Sequence, residues 1–349
     1  MKDMKTRILL ELLLCANVLG ASAQVIYDEE GRLEYDETWK RTLIGYTAPE
    51  ALVEISGLAC SRVTPGYLWA QGDDTYKVQA LKQDGNSIVP VSTIRLANSY
   101  RDWEDICCGV YNDTNYVFVG IFGDNSRQYK DKYYIYYFKE PEIVEGEIKV
   151  DVDTIHFGYP DGEGHNAETL MYDNVDQVLY IVDKYGPTDA MGVIYSLPFR
   201  RDYEGMQVLT EWTKLGSGDY FLNPTGGDIS PDGKHILVKN EAFMLIWHRA
   251  EGESVADAMA RRPKQVKAYK REGQGEAIAW LDSTTFYTTS DDYNPKVPVY
   301  MYTKQDPNGI EDILTGTKNE PTKFLNKESQ TVQILHGDKV YSLLGNVIE

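Results

Sequence analysis

Acidic residues recur at the points where short apolar segments begin in this sequence. Glu104, Glu168 and Glu276 each open such a segment, and Asp228 takes the neighbouring position in a fourth one. Carboxylates that converge repel one another and raise one another's pKa unless a cation neutralises them. We therefore predict that these four side chains ligate a metal ion.

The donor atoms indicate which ion to expect. Oxygen ligands from Asp, Glu, Asn and Gln, with no Cys and little His, suit a hard cation, and Ca²⁺ accepts irregular coordination by about 6 to 8 oxygens. Calcium is the expected ion, and magnesium is the alternative. Further acidic or amide residues follow the paired segments, but Asp and Asn are common in turns because they bond their own backbone. These exit residues are Asp73, Asp74, Asp124, Asn125, Asp183, Asn240, Glu241, Asp291 and Asp292.

Four residues are candidates for catalysis. His165 precedes Glu168 by three positions, and either side chain could act as a general base. A solvated loop histidine is the simpler interpretation of His165. Arg127 and Lys184 could hold an anionic group such as phosphate or carboxylate, although a surface counter-charge is the commoner role. The sequence contains no Gly-x-Ser-x-Gly elbow, P-loop or His-Glu-x-x-His motif.

The elements that would position these residues form a repeat. One phrase recurs six times: a polar or acidic residue, a short apolar strand, a turn and a second apolar strand. The copies are 48 to 64 residues apart, which fits four strands and their turns. The sequence therefore predicts an all-β fold, a six-bladed β-propeller. The copies begin at Ser56, Glu104, Glu168, Gly227, Glu276 and Gln330.

The last copy supplies only two strands before the sequence ends at Glu349. An incomplete blade would expose an edge, so we expect residues 24 to about 52 to supply its outer strands and close the ring. Residues 24–349 would then form a single domain, with short helical insertions at 253–262 and 309–316. Strand entries and exits share one face of a propeller, which would gather the acidic residues there.

Residues 1–23 are typical of a secretory signal peptide, with a basic start, an apolar stretch and small residues before Gln24. We expect export to the periplasm or the extracellular space. Cys15 leaves a lipoprotein as the less favoured alternative, because Leu14 is larger than that signal accepts. No later stretch reaches the roughly 20 apolar residues of a membrane span.

Charge and cysteine content narrow the class of partner. A formal net charge of -19 repels nucleic acid and anionic membranes and concentrates cations. We expect a monomer with a small anionic or ester substrate. Cys60, Cys107 and Cys108 remain after signal cleavage, either as small buried residues or with one disulfide among them.

Several phrases resemble the esterase-like and phytase-like propeller proteins secreted by many bacteria. They are DWEDI (102–106), GDNSR (123–127), YYIYYFKEP (133–141), HNAETLMYD (165–173), LYIVDK (179–184), TGGDISPDGK (225–234) and QGEAIAW (274–280). The resemblance covers roughly residues 55 to 300. It implies a six-bladed propeller with calcium on its top face, in which Glu104, Glu168 and Glu276 match the acidic entries and Gly227 does not.

Two functions remain open from the sequence. The first is a calcium-dependent hydrolase of a phosphoester, ester or lactone, in which the ion polarises the scissile group and positions a water molecule. The second is a non-catalytic binding propeller whose loops recognise a glycan, a peptide or a partner protein.

Overall fold

Strands make up nearly all the regular structure in the described part of this computed structural model. The described residues are 27–28, 31–52, 54–73, 75–96, 102–186, 192–215, 223–292, 296–305, 322–326, 331–336 and 339–342. The chain divides into two compact units, residues 1–304 and residues 305–349, and each is treated by itself. The predicted signal peptide with Cys15, the exit residue Asp74, the helical pattern at 309–316 and the entry residue Gln330 lie outside the described residues.

The first unit begins with four N-terminal strands and continues with five sheets. The N-terminal strands are β1 (Tyr27–Asp28), β2 (Gly31–Arg32), β3 (Tyr35–Asp36) and β4 (Trp39–Thr47). The first sheet contains β5 (Ile55–Cys60), β6 (Tyr67–Gly72), β7 (Lys77–Asp84) and β8 (Ser87–Arg95). The second contains β9 (Ile106–Tyr111), β10 (Thr114–Ile121), β11 (Tyr133–Lys139) and β13 (Asp153–Gly158), and β12 (Gly146–Ile148) pairs with β8.

The remaining three sheets follow the same plan. The third contains β14 (Asn166–Asp173), β15 (Val178–Tyr185), β16 (Val193–Pro198) and β18 (Thr210–Lys214), and β17 (Met206–Val208) pairs with β13. The fourth contains β19 (Gly226–Ile229), β20 (His235–Lys239), β21 (Met244–His248) and β22 (Lys264–Val266), with β3 added in parallel. The fifth contains β23 (Ile278–Asp282), β24 (Thr285–Thr288) and β25 (Pro298–Lys304), completed by β4.

The five sheets are antiparallel meanders whose first strands contact one another in a closed order. Strand β5 contacts β9, β9 contacts β14, β14 contacts β19, β19 contacts β23, and β23 contacts β5. Strands β4 and β8 also pair in parallel, which joins the fifth sheet to the first. The five inner strands therefore form a closed circuit in which each strand contacts the inner strands of the two neighbouring sheets.

The six-bladed ring expected from the sequence is not confirmed. In the described residues up to 304 the circuit has five sheets, and β4 pairs along β25 in the sheet that begins after Glu276. The N-terminal segment thus supplies an outer strand, as predicted, but to the fifth copy instead of the sixth. The strands of the sixth copy lie in the second unit, where β26 (Thr322–Asn326), β27 (Thr331–His336) and β28 (Lys339–Ser342) form an antiparallel sheet.

Burial decreases from the inner strands outward. All eight residues of β14 are buried, whereas four of the five residues of β18 are exposed. The space between the second and third sheets is filled by aromatic rings, and Phe118 stacks on Tyr172 with centroids 4.9 Å apart. Gly109 permits this approach, because a Cβ there would lie 2.0 Å from the Tyr172 ring. Large side chains between the sheets therefore hold the inner strands in place.

The helical pattern at 253–262 is confirmed by α1 (Val255–Ala260). Its N-cap is Ser254, whose hydroxyl accepts a hydrogen bond from the backbone N–H of Asp257 at 3.0 Å. Within the described residues no helix has the length and apolar character needed to cross a membrane. Cys60, Cys107 and Cys108 are buried and are not in disulfides.

Candidate functional site

Five carboxylates lie where inner strands start or second strands end, and we refer to them as the acidic cluster. In an antiparallel hairpin these two positions share an edge, as the pairing of Ile55 with Gly72 and of Ile278 with Thr288 shows. The members of the acidic cluster are Asp73 after β6, Glu104 before β9, Glu168 in β14, Glu276 before β23 and Asp291 after β24. They come from four consecutive positions of the circuit, the fifth, first, second and third sheets.

Three members of the acidic cluster have their oxygens close together. One carboxylate oxygen from each of Asp73, Glu276 and Asp291 lies within 4.8 Å of the other two. A Ca²⁺–oxygen bond is about 2.4 Å long, so two oxygens on one ion are at most roughly 4.8 Å apart. The three oxygens therefore meet the distance condition for coordinating a single calcium-sized ion.

Two oxygens of the acidic cluster are buried and have no hydrogen-bond partner among the described residues. They are Oε2 of Glu168 and Oδ1 of Asp291, and both residues are 5% exposed. A buried acceptor without a donor costs free energy. These two buried acceptors distinguish the cluster from an ordinary solvated group of acids.

Burial and mutual repulsion raise the pKa values of the carboxyl groups in the acidic cluster. Burial, followed by repulsion from Glu168, raises the pKa of Glu104 well above its usual value. Burial and then Glu168 do the same to the pKa of Glu276. Burial raises the pKa of Asp73 to about 6 against the opposing hydrogen bond from Ser56, and burial and Asp73 raise the pKa of Asp291 to about 7. A cation would relieve this repulsion.

Lys184 lies against the acidic cluster. Its Nζ donates to Oε1 of Glu168 at 2.6 Å. Burial lowers the pKa of Lys184, but attraction to Glu168, Glu276 and Glu104 outweighs burial and raises the pKa overall. The ammonium therefore stays charged and offsets part of the cluster's charge.

His165 is held by two carboxylates and an aromatic ring. Its Nδ1 lies 3.2 Å from Asp183 and its Nε2 lies 3.1 Å from Asp161, while its ring stacks on Tyr159 with centroids 4.0 Å apart. Burial lowers the pKa of His165, but the hydrogen bonds to Asp183 and Asp161 raise it overall. The ring is buried and fixed between two carboxylates, so the interpretation of His165 as a solvated loop histidine does not describe it.

Arg127 also has a structural partner. Its Nη1 donates to the carbonyl oxygen of Gly186 at 2.7 Å, and its guanidinium lies 5.6 Å from the Tyr185 ring centre. The exit residue Asp124 is likewise occupied, because it accepts hydrogen bonds from Tyr133 and from the backbone N–H groups of Gln128 and Tyr129. These contacts tie loops together beside the third sheet.

Asp228, one of the four predicted metal ligands, is not a member of the acidic cluster. Its carboxylate accepts hydrogen bonds from the backbone N–H groups of Ile229 at 2.8 Å and Trp280 at 2.7 Å. It therefore joins the fourth sheet to the fifth. Gly227 stands at the position that holds Glu in other copies, and a Cβ there would lie 2.7 Å from the Leu237 carbonyl oxygen. The fourth sheet has no room for an entering ligand at this position.

Two residues outside the predicted ligand set lie close to one of its members. Turn formation is the expected role of Asp73 and Asp291, but one oxygen of each lies within 4.8 Å of a Glu276 oxygen. Their position at the ends of second strands was the available signal, since those ends share an edge with the entering glutamates. Lys239, another cation near the exits, is fully buried and paired with Glu272 at 2.8 Å.

No family model matches the sequence. No curated protein is significantly similar to it. Among solved structures, the chain is similar to a functionally unknown protein from Desulfotomaculum acetoxidans, with 13% identity, 86% of each chain covered and a TM-score of 0.36. A protein of unknown function from Bacteroides thetaiotaomicron has 10% identity, coverage of 81% of this chain and 84% of that one, and a TM-score of 0.38. Hydrazine synthase from Kuenenia stuttgartiensis has 10% identity, 70% coverage of each chain and a TM-score of 0.36.

Proposed function

We propose that this protein binds calcium through the acidic cluster. The observation that carries the proposal is the approach of oxygens from Asp73, Glu276 and Asp291 to within 4.8 Å of one another. Carboxylate oxygens without nitrogen or sulfur ligands suit a hard cation. Calcium is favoured over magnesium because its coordination tolerates the irregular geometry of ligands from several different strands.

The remaining oxygens of the cluster support a larger coordination shell. Oε2 of Glu168 and Oδ1 of Asp291 are buried acceptors without partners among the described residues. Glu104 interacts electrostatically with Glu168, Asp73 and Glu276, so it belongs to the same charged region. We assign Asp73, Glu276 and Asp291 as the primary ligands, and Glu168 and Glu104 as ligands or as charges that strengthen the site.

We further propose that the first unit is a propeller ring with five blades. The closed order of contacts among β5, β9, β14, β19 and β23 supports it. The pairing of β4 with β25 joins the N-terminal and C-terminal strands of this unit in one sheet. Such a ring gives the cluster a rigid frame, because each ligand is fixed by strands that are buried between neighbouring sheets.

Hydrolysis of a phosphoester, ester or lactone is the activity to test at this site. A bound calcium ion would polarise the scissile group, and Lys184, whose side chain is 23% exposed, could attract an anionic substrate. The ring nitrogens of His165 are held by Asp183 and Asp161, so a carboxylate of the acidic cluster is the alternative general base. Calcium binding without catalysis, with the loops recognising a partner molecule, is the second candidate function.

Thermal unfolding with and without calcium chloride tests the proposal. We expect calcium to raise the Tm of the wild type and to have much less effect on Glu276→Gln. Glu145→Gln is the matched control, because Glu145 is exposed and outside the cluster, and it should respond like the wild type. Equal responses from all three proteins would reject the site. A panel of phosphoester, ester and lactone substrates, assayed with calcium and with chelator, then separates an enzyme from a binding protein.

A further inference from the structure

Two histidines face each other at the far edge of the fourth sheet. His235 opens β20 and His248 closes β21, and the two are directly paired across the strands. Their Nδ1 atoms are 2.9 Å apart. The other end of β20 is Lys239, which interacts with Glu276 of the acidic cluster. The histidine pair is therefore at the opposite edge from the proposed calcium site.

Asp36 fixes the orientation of His248. Its Oδ2 lies 3.0 Å from Nε2 of His248, and its Oδ1 accepts a hydrogen bond from the backbone N–H of Thr38. A neutral His248 that donates from Nε2 to Asp36 has its lone pair on Nδ1, directed at His235. Metal-binding histidines are commonly held in this way by a carboxylate on the nitrogen that does not bind the metal.

His235 is also held in one orientation. Its ring stacks on the buried Trp280, with centroids 5.7 Å apart and an interplanar angle of 26°. The side chain of His248 is 44% exposed, so ions in solvent can reach the pair.

We propose that His235 and His248 bind a divalent first-row transition-metal ion, Zn²⁺ or Cu²⁺, through their Nδ1 atoms. Imidazole nitrogens suit these ions, and bonds of about 2.0 to 2.1 Å to two nitrogens 2.9 Å apart meet at roughly 90°. Water would occupy the other coordination positions. Without metal the two nitrogens share one N–H···N hydrogen bond. On binding, the Nδ1 proton of His235 is replaced by the ion and reappears on Nε2 through solvent, so both rings stay neutral.

The ion would strengthen the attachment of the N-terminal segment. Asp36 belongs to β3, which pairs in parallel with β22, and His248 reaches it from β21. A metal on Nδ1 of His248 makes its Nε2–H a stronger donor to Asp36. The ammonium of Lys304 opposes binding and the carboxylate of Asp232 favours it, and both are near His235.

Copper titration followed by electron paramagnetic resonance tests the site. Calcium in excess keeps the acidic cluster occupied, and circular dichroism checks the fold of each variant. We expect the wild type to bind one equivalent of Cu²⁺ with splitting from two nitrogens. His235→Gln and His248→Gln should each lower the affinity at least tenfold, and Asp36→Asn should lower it about 10-fold to 100-fold.

His156→Gln is the matched control, because His156 stacks on Tyr134 in the second sheet, away from the pair. It should bind copper like the wild type. Affinity unchanged in either His235→Gln or His248→Gln would overturn the proposal. If those variants do not fold, the wild-type spectrum decides, since a signal without two nitrogen ligands overturns the proposal by itself.

Discussion

The ammonium of Lys184 donates a 2.6 Å hydrogen bond to Oε1 of Glu168, while Oε2 of the same carboxylate is buried without a partner among the described residues. One oxygen is thus neutralised by an internal cation, and the other remains available for a metal ion. The ammonium of Lys184 therefore competes with calcium for the carboxylates of the acidic cluster, which is proposed to bind the ion.

Replacing Lys184 by Met is expected to tighten calcium binding. Removing a positive charge near the cluster should raise the affinity by roughly threefold to tenfold, since charges interact strongly in partly buried surroundings. Calorimetric titration measures the change. Lys130→Met is the control, because Lys130 pairs with Glu163 in an exposed bridge, and its affinity should equal that of the wild type. Weaker binding by Lys184→Met would show that the lysine supports the site.

The Asp228→Asn variant separates the predicted role of Asp228 from the observed one. We expect a loss of about 1 to 3 kcal/mol in the free energy of unfolding, because the N–H groups of Ile229 and Trp280 bond different oxygens of Asp228 and the amide replaces one of those acceptors with an NH2 donor. Calcium affinity should be unchanged. Denaturant unfolding and calcium titration measure the two quantities, with the exposed Asp151→Asn as control. A large fall in calcium affinity with unchanged stability would restore Asp228 as a ligand.

Alternation along a strand explains why Asp228 bonds backbone groups apart from the acidic cluster. Successive side chains of a strand point to opposite faces. Asp228 follows the position that holds Glu in other copies, so its side chain points between the sheets. Asp105 follows Glu104 and behaves in the same way, accepting from the backbone N–H groups of Ile106 and Leu170. A strict comparison of these two copies would have predicted the structural role.

The repeat predicted the hairpins and their shared edge but not the size of the circuit. Each short phrase specifies two local strands, whereas closure depends on which distant edge β4 joins. That choice is made by pairing along β25, from Pro298 with Tyr46 to Lys304 with Trp39. The local sequence of β4 does not indicate which strand it pairs with. The number of copies was therefore the only guide to the number of blades, and six copies predicted six blades.

The raised pKa values in the acidic cluster should make the stability of the calcium-free protein depend on pH. Burial raises the pKa of Asp73 to about 6 and of Asp291 to about 7, above the value of about 3.9 for an unfolded Asp. The folded state therefore binds these protons more tightly than the unfolded chain, and stability falls as the pH rises from about 4 to 7. We expect calcium to raise the Tm more at pH 8 than at pH 5.5.

A double variant, Asp73→Asn with Asp291→Asn, provides the comparison for that effect. Removing both titrating groups should flatten the calcium-free dependence of Tm on pH between 4 and 7 and reduce the effect of calcium at pH 8. The same slope in both proteins would mean that the stability change comes from other groups.

The contact between the second and third sheets depends on Gly109. Gly109→Ala would bring a Cβ to 2.0 Å from the Tyr172 ring, so the sheets must separate or the ring must move. We expect a loss of about 1 to 3 kcal/mol or more in the free energy of unfolding, measured by denaturant titration. Gly273→Ala is the control, because the nearest atom is 3.8 Å away. Equal stability of the two variants would contradict this packing.

Isothermal titration of calcium-free protein with calcium chloride at pH 8 tests the central claim most directly. We predict saturable binding of one ion to the wild type and at least a tenfold loss of affinity in the Asp73→Asn, Asp291→Asn double variant. No saturable binding to the wild type, or equal binding to the double variant, would contradict the assignment of the acidic cluster as a calcium site.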